Sequence, residues 1–233
     1  MKKTVILSFG YGFIIFLFLF ILLSGNSVVT TMVESAPIPR QHILIIDPGH
    51  GGVDGGATSC TGKLESAFNL EISLRLRDLL HLLGHETRMI RSTDISVYTK
   101  EGTIAQKKVS DLKERVRIVN ESENAILISI HQNNFSDSRY SGAQVFYGRE
   151  EGSDVLAKQL QSAFVSTLNP GSRRLSKPCK GVYLMEHINC PGILIECGFL
   201  SNPPEEANLR NPVYQRKLCC VIASTVSTFL SNT

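Results

Sequence analysis

The run Ile43-Leu44-Ile45-Ile46 halts at Asp47-Pro48, and Gly49-His50-Gly51-Gly52-Val53-Asp54-Gly55-Gly56 follows it. Apolar, mostly β-branched residues stopped by Asp-Pro read as a buried strand. The glycines behind them read as a tight loop whose backbone a ligand can approach closely. Open α/β sheets place their sites just beyond the carboxyl ends of such strands. His50 is the first side chain able to reach whatever sits there. A turn with a surface histidine is the competing reading of one His-Gly pair, so the other strand ends must decide.

Two further apolar runs stop the same way. Residues 125–130 (AILISI) end at His131-Gln132-Asn133-Asn134, and Ile193-Leu194-Ile195 ends at Glu196-Cys197-Gly198-Phe199. Shorter strands are expected over residues 86–91, 142–147 and 182–185. Helical spacing of apolar residues marks 65–83 (stopped by Gly84), 154–168 and 212–230, with another helix over 111–120. Asn202-Pro203-Pro204-Glu205-Glu206 opens a short helix, since proline is tolerated in a first turn and acids suit its positive end. Residues 100–110 read as a polar surface excursion, and 170–180 as a basic loop carrying Arg173, Arg174, Lys177 and Lys180. Helices alternating with near-continuously apolar strands give a three-layer α/β sandwich: a largely parallel twisted sheet with helices on both faces. No internal repeat is present.

The chain of 233 residues suits one domain plus an appendage, and a net charge of +3 with no nucleic-acid motif argues against a nucleic-acid partner. Lys2 and Lys3 precede an uncharged run over residues 4–23, nearly long enough to span a bilayer. Residues 1–25 are therefore expected to be a signal or transmembrane anchor, 26–41 a linker and 42–233 the catalytic domain. The protein is expected to be exported, with retention on the outer face of the cytoplasmic membrane and release both open. Of the cysteines, Cys197, Cys219 and Cys220 read as small core residues, and Cys179 with Cys190 is the one pair worth testing for a bridge.

His50, His131 and Glu196 thus close three strands, and Glu65 opens the helix after the His50 loop. Two imidazoles and a carboxylate with one open position make a catalytic zinc set, and a second carboxylate outside it can serve as general base. Spacing alone does not say which glutamate does which. Asp47 reads either as an orienting partner for an imidazole or as a turn former. His187 is the one other histidine placed to join a site, while His81 and His85 sit near a helix end and His42 ahead of the first strand.

The order D-P-G-H-G-G, Glu65 with Asn69-Leu70, Arg91-x-Thr93-Asp94, Leu112-x-x-Arg115 with Asn120, Ser129-Ile130-His131-x-Asn133 and Ile195-Glu196-x-Gly198-Phe199-Leu200-Ser201-Asn202 resembles the zinc N-acetylmuramoyl-L-alanine amidases of bacterial cell walls. The resemblance covers residue 43 to the end. It implies one zinc ion held by His50, Glu65 and His131, with Glu196 as the catalytic glutamate. It also implies peptidoglycan glycan strands with stem peptides as substrate, cut between the lactyl group of N-acetylmuramic acid and L-alanine. The polar stretch before Asp111, the SRYSGAQVFY segment and the lack of a wall-binding repeat resemble the sporulation-type enzymes. Those strip stem peptides from spore cortex in preparation for muramic-δ-lactam, which implies the space between forespore and mother cell. A vegetative wall amidase and a non-catalytic peptidoglycan-binding protein are the alternatives, and a protein partner that completes the zinc site stays open. A P-loop is excluded because Gly62-Lys63 is followed by Leu64, and an ordinary metalloprotease because no H-E-x-x-H is present.

Overall fold

The computed structural model describes residues 42–232. The anchor expected over 1–25 and the linker over 26–41 lie outside them. No helix among the described residues is long and apolar enough to cross a membrane.

Six strands, β1 (Ile43–Pro48), β2 (Glu86–Met89), β3 (Ala125–Asn133), β4 (Gln144–Tyr147), β5 (Lys177–Pro178) and β6 (Gly192–Phe199), form one sheet in the order β2-β1-β3-β6-β4-β5. β1, β2, β3 and β6 run parallel, while β4 runs antiparallel to β6. β1, β3 and β6 are buried on both faces, which is why they read as unbroken apolar runs, whereas β2 (ETRM) is an edge strand left partly in water. Their alternate side chains feed two cores. Leu44, Ile46, Ile128, Ile130, Ile193 and Ile195 meet Phe68, Ile72 and Leu76 of α1 (Glu65–Leu82), Leu156 and Phe164 of α3 (Ser153–Thr167), and Leu218 and Ile222 of α6 (Pro212–Leu230). On the other face Ile45, Leu127 and Leu194 meet Val119 of α2 (Ile104–Asn120) and Leu184 and Met185 of α4 (Tyr183–His187). Burying each such side chain contributes about 1.5–3 kcal/mol. The remaining helix, α5 (Pro203–Arg210), follows β6 directly, and the Asn202 side chain accepts from the Glu205 N–H to cap it.

Three local expectations need correction. The excursion over 100–110 is half helix: α2 starts at Ile104 behind a capping box in which Thr103 and Gln106 satisfy each other's backbone N–H. Only Ser110, Arg115 and Val119 of α2 are buried, so it has no apolar stripe to give it away. Residues 182–185 are not a strand, because Tyr183 enters α4 and turns the adjacent Leu184 and Met185 into one core. An apolar run that short carries no period by which to tell helix from strand. Cys220 lies on the exposed side of α6, whereas Cys197 and Cys219 are core residues. All six thiols are free, those of Cys179 and Cys190 included.

Candidate active site

The loop after β1 is shaped by what lies underneath it. Arg91 donates to the carbonyls of Pro48 (2.9 Å), Gly49 (3.0 Å) and Ser66 (2.9 Å). Arg115 donates to the carbonyls of Pro48 (3.0 Å) and His50 (2.7 Å), and is itself clamped by Asp47 and, at 2.6 Å, by Asp111. These buried guanidiniums replace the strand partners that the chain loses on leaving the sheet. His50 is thereby held at φ 60°, a conformation rare for a side-chain-bearing residue. Gly49 is required by close approach: a Cβ there would stand 2.2 Å from the His131 ring. At Gly56, φ +69° combines with a Cβ position 2.6 Å from Glu65 Oε2.

Three side chains from three elements converge above this loop. Glu65, the first residue of α1, is buried and places its carboxylate between the two imidazoles. His131 Nδ1 lies 3.1 Å from Oε1, and His50 Nε2 lies 3.3 Å from Oε2. The rings meet edge to face at 5.1 Å. His50 Nδ1 donates to Asp54 Oδ2 at 2.9 Å, which leaves Nε2 as the nitrogen turned toward the carboxylate. The Ala57 and Gln132 N–H groups and the Asn69 amide also donate to Glu65, at 3.0, 3.2 and 3.3 Å. Burial alone would raise the Glu65 pKa, but His131 and His50 outweigh it and hold the carboxyl far below the usual range. Burial would lower the pKa of His50, yet Glu65 and Asp54 lift it to about 9. Ligand atoms of His50, Glu65 and His131 all lie within 4.8 Å of one another, a group that can hold a metal ion. Two nitrogens and one oxygen are the donor set that a catalytic zinc takes, so these residues fit the ion that the resemblance implies.

Glu196 sits in register with His131 across β3 and β6, and the pairing slips by a bulge just beyond, between His131 and Asn133. Bulges re-aim side chains at the ends of strands. Ile195 and Cys197 point into the α1 side of the sheet and Glu196 into the other, as alternation requires. Glu196 Oε2 is buried and has no hydrogen-bond partner. Burial and, behind it, the charge of Glu65 raise its pKa to about 7 against the pull of His131 and His50. The ion pair with Arg115 that would make Glu196 structural is not formed, because Arg115 is spent on Asp47 and Asp111. A cleft of about 280 Å³ opens beside both imidazoles, between α2 and the start of α4, with Lys108 at its rim.

Asp47 orients no imidazole: it pairs with Arg115 and accepts from Ser129 Oγ at 2.6 Å. Asp54 is the imidazole partner, and the sequence reading missed it. No periodicity signals it, since the i, i+4 contact lies in a glycine loop and not on a helix. Asn69, quoted without a role, ties the loop to the cluster by donating to Gly49 O and Glu65 Oε1. His187 stays outside, bonded through Nδ1 to its own helix at Tyr183 O. Arg174 of the basic loop is engaged in the fold, donating to Ser141 O and Gln144 Oε1.

The family model described as N-acetylmuramoyl-L-alanine amidase matches residues 44–228. The germination-specific N-acetylmuramoyl-L-alanine amidase of Bacillus subtilis (strain 168) is 41% identical over 225 residues, which cover 95% of this chain and 92% of that protein. The structure of the CwlD amidase from Clostridioides difficile in complex with the GerS lipoprotein superposes with a TM-score of 0.79 at 36% identity, covering 83% of this chain and 100% of that one. An N-acetylmuramoyl-L-alanine amidase from Clostridium difficile 630 follows at a TM-score of 0.72 and 31% identity, covering 82% and 97%. A match that enters at β1 and leaves near the end of α6, spanning every strand end described above, makes this chain a hydrolase of the N-acetylmuramoyl-L-alanine amidase family.

Proposed function

We propose that the protein is a zinc-dependent amidase of spore cortex peptidoglycan, with His50, Glu65 and His131 holding one zinc ion and Glu196 acting as general base. The observation that carries the roles is the contrast between the two glutamates. Glu65 is buried and enclosed by two imidazoles and three N–H donors, whereas Glu196 is half-buried, with its buried Oε2 left unpartnered. A non-catalytic binding protein has no use for that costly arrangement. Held by His50, Glu65 and His131, a zinc ion would supply Lewis-acid chemistry toward water and the amide carbonyl.

The protein's own groups do the rest. Asp54 fixes the tautomer of His50, and the Arg91–Arg115 layer fixes the loop that presents it. Glu196 takes the proton of the attacking water at its free oxygen and returns it to the departing L-alanine nitrogen. In the metal-free protein burial raises its pKa, the direction that favours a group which must both take and return a proton. The cleft between α2 and α4 receives the stem peptide. Identity of 41% to a germination-specific enzyme supports the cortex over the vegetative wall, and the CwlD–GerS complex supports a protein partner. Export with retention through residues 5–23 completes the reading.

Mass spectrometry of fragments released from purified cortex peptidoglycan tests it. Intact stem peptides with a free L-alanine amine are expected, with lactyl-bearing muramic acid left in the glycan. Release of glycan fragments, or of peptides lacking L-alanine, would contradict the assignment.

A further inference from the structure

The two strands that deliver His131 and Glu196 both run on into aromatic residues. Phe135 follows His131 by four residues, so its Cα lies within about 14 Å of that ligand, and Phe199 follows Glu196 by three. Phe135 and Tyr140 meet edge to face at 4.9 Å, and Tyr140 stacks on Phe199 at 6.2 Å. Phe199 is buried, but Phe135 and Tyr140 are 51% and 49% exposed. Exposed aromatic rings that touch one another make a contiguous apolar patch, the kind of surface that marks a ligand site more than a ring exposed singly does. The segment that carries them is held in place: Phe135 N–H donates to Ser201 Oγ (3.1 Å), and the Asn202 amide donates to the carbonyls of Ser138 (2.9 Å) and Tyr140 (3.2 Å).

We infer that Phe135 and Tyr140, backed by Phe199, form a stacking ledge for the sugar rings of the glycan strand. The inference rests on the amidase reading and adds to it where the carbohydrate half of the substrate lies. The scissile amide joins a sugar-borne lactyl group to a peptide, so the two halves must leave the zinc site in different directions. On the β1 and α2 side is the cleft, a confined space beside both imidazoles that suits a short peptide. None of the three aromatics lines it. They lie past the end of β6, against Ser201 and Asn202 at the start of α5, with Phe135 and Tyr140 about half exposed. The C–H face of a pyranose ring carries partial positive charge and is attracted to the negative face of an aromatic ring. Such contact needs no reading of sequence or of side chains, as a repeating glycan requires.

The test uses glycan strands already stripped of stem peptides, with affinity measured by calorimetry on the zinc-loaded protein. Wild type is expected to bind them, and Phe135→Ala with Tyr140→Ala to weaken binding by about tenfold or more. Phe135→Tyr with Tyr140→Phe keeps both rings and should retain affinity. Melting temperature and zinc content on each preparation confirm that the variants are folded, and the single Phe135→Ala change serves if the double variant is not. Equal binding by folded wild type and alanine variant would overturn the ledge, as would no binding by wild type. Loss of affinity for free stem peptide instead of glycan would assign the ledge to the peptide and likewise overturn it. Stem-peptide release is measured in parallel. Wild type that binds stripped glycan but releases no stem peptide would contradict the amidase reading while leaving the ledge in place.

Discussion

Each proposed zinc ligand is held by groups whose own partners are fixed, and the consequences are sharpest at Asp54. Its carboxylate links His50 at 2.9 Å to Lys108 at 2.7 Å. Asp54→Asn is expected to lower zinc affinity about 10–100-fold with little change in melting temperature, as read by competition with a chromophoric chelator; unaltered affinity would remove Asp54 from the site. Protonation gives a second outcome at this scale. In the metal-free protein the pKa of His50 is raised from 6.5 to about 9, so its contribution to stability is full below pH 6.5 and lost as pH rises through 9. Glu196 is also raised, from 4.5 to about 7, so its protonated form stabilises the fold below pH 4.5 and that contribution is lost through pH 7. Both act in one direction: melting temperature of the metal-free protein should fall between pH 6.5 and 9. Zinc should flatten that fall, because it has already displaced the imidazole proton. Thermal scans across that range with and without zinc check this, and a metal-free protein that gains stability with pH would contradict it.

Among the elements, the strand ends were legible and their supports were not. His50, His131 and Glu196 could be found because each interrupts an apolar run, and interruption is visible in one dimension. Asp54 could not be paired with His50, because their contact depends on a backbone turned to positive φ. Arg91 and Arg115 were visible as matched positions without a task. Their work is long-range, on carbonyls of the His50 loop some forty and sixty-five residues away. The α2 helix lost its first half to the expected excursion because that half faces water, and α4 was misread because it is a single turn. The buried Arg115–Asp47 pair makes a prediction of its own. Arg115→Met strands an uncompensated buried carboxylate and should cost about 3–5 kcal/mol in denaturant unfolding. Adding Asp47→Asn should recover part of that loss, since the two residues are directly coupled. Full additivity of the two changes would show that the pair is not what holds the loop.

At the level of the whole molecule, both cores, the three proposed zinc ligands and Glu196 lie within the described residues, so a shortened chain beginning at Gln41 is expected to melt cooperatively and bind zinc as the full chain does. The full chain should sediment with membranes and the shortened one should not; equal partitioning would remove the anchor from the account. The central claim is that Glu65, enclosed by both imidazoles, and Glu196, in register with His131 across the sheet, divide the work into ligand and base. Glu196→Gln tests it most directly, with zinc content, melting temperature and stem-peptide release measured on one preparation. The amide keeps the size of the side chain and relieves the cost of a buried ionisable group, but it cannot accept a proton. Zinc content should hold and melting temperature should not fall, while turnover drops by about a hundredfold to ten-thousandfold. Near-normal turnover in a folded, zinc-loaded Glu196→Gln protein would contradict the mechanism, and loss of zinc would show that Glu196 is a ligand instead.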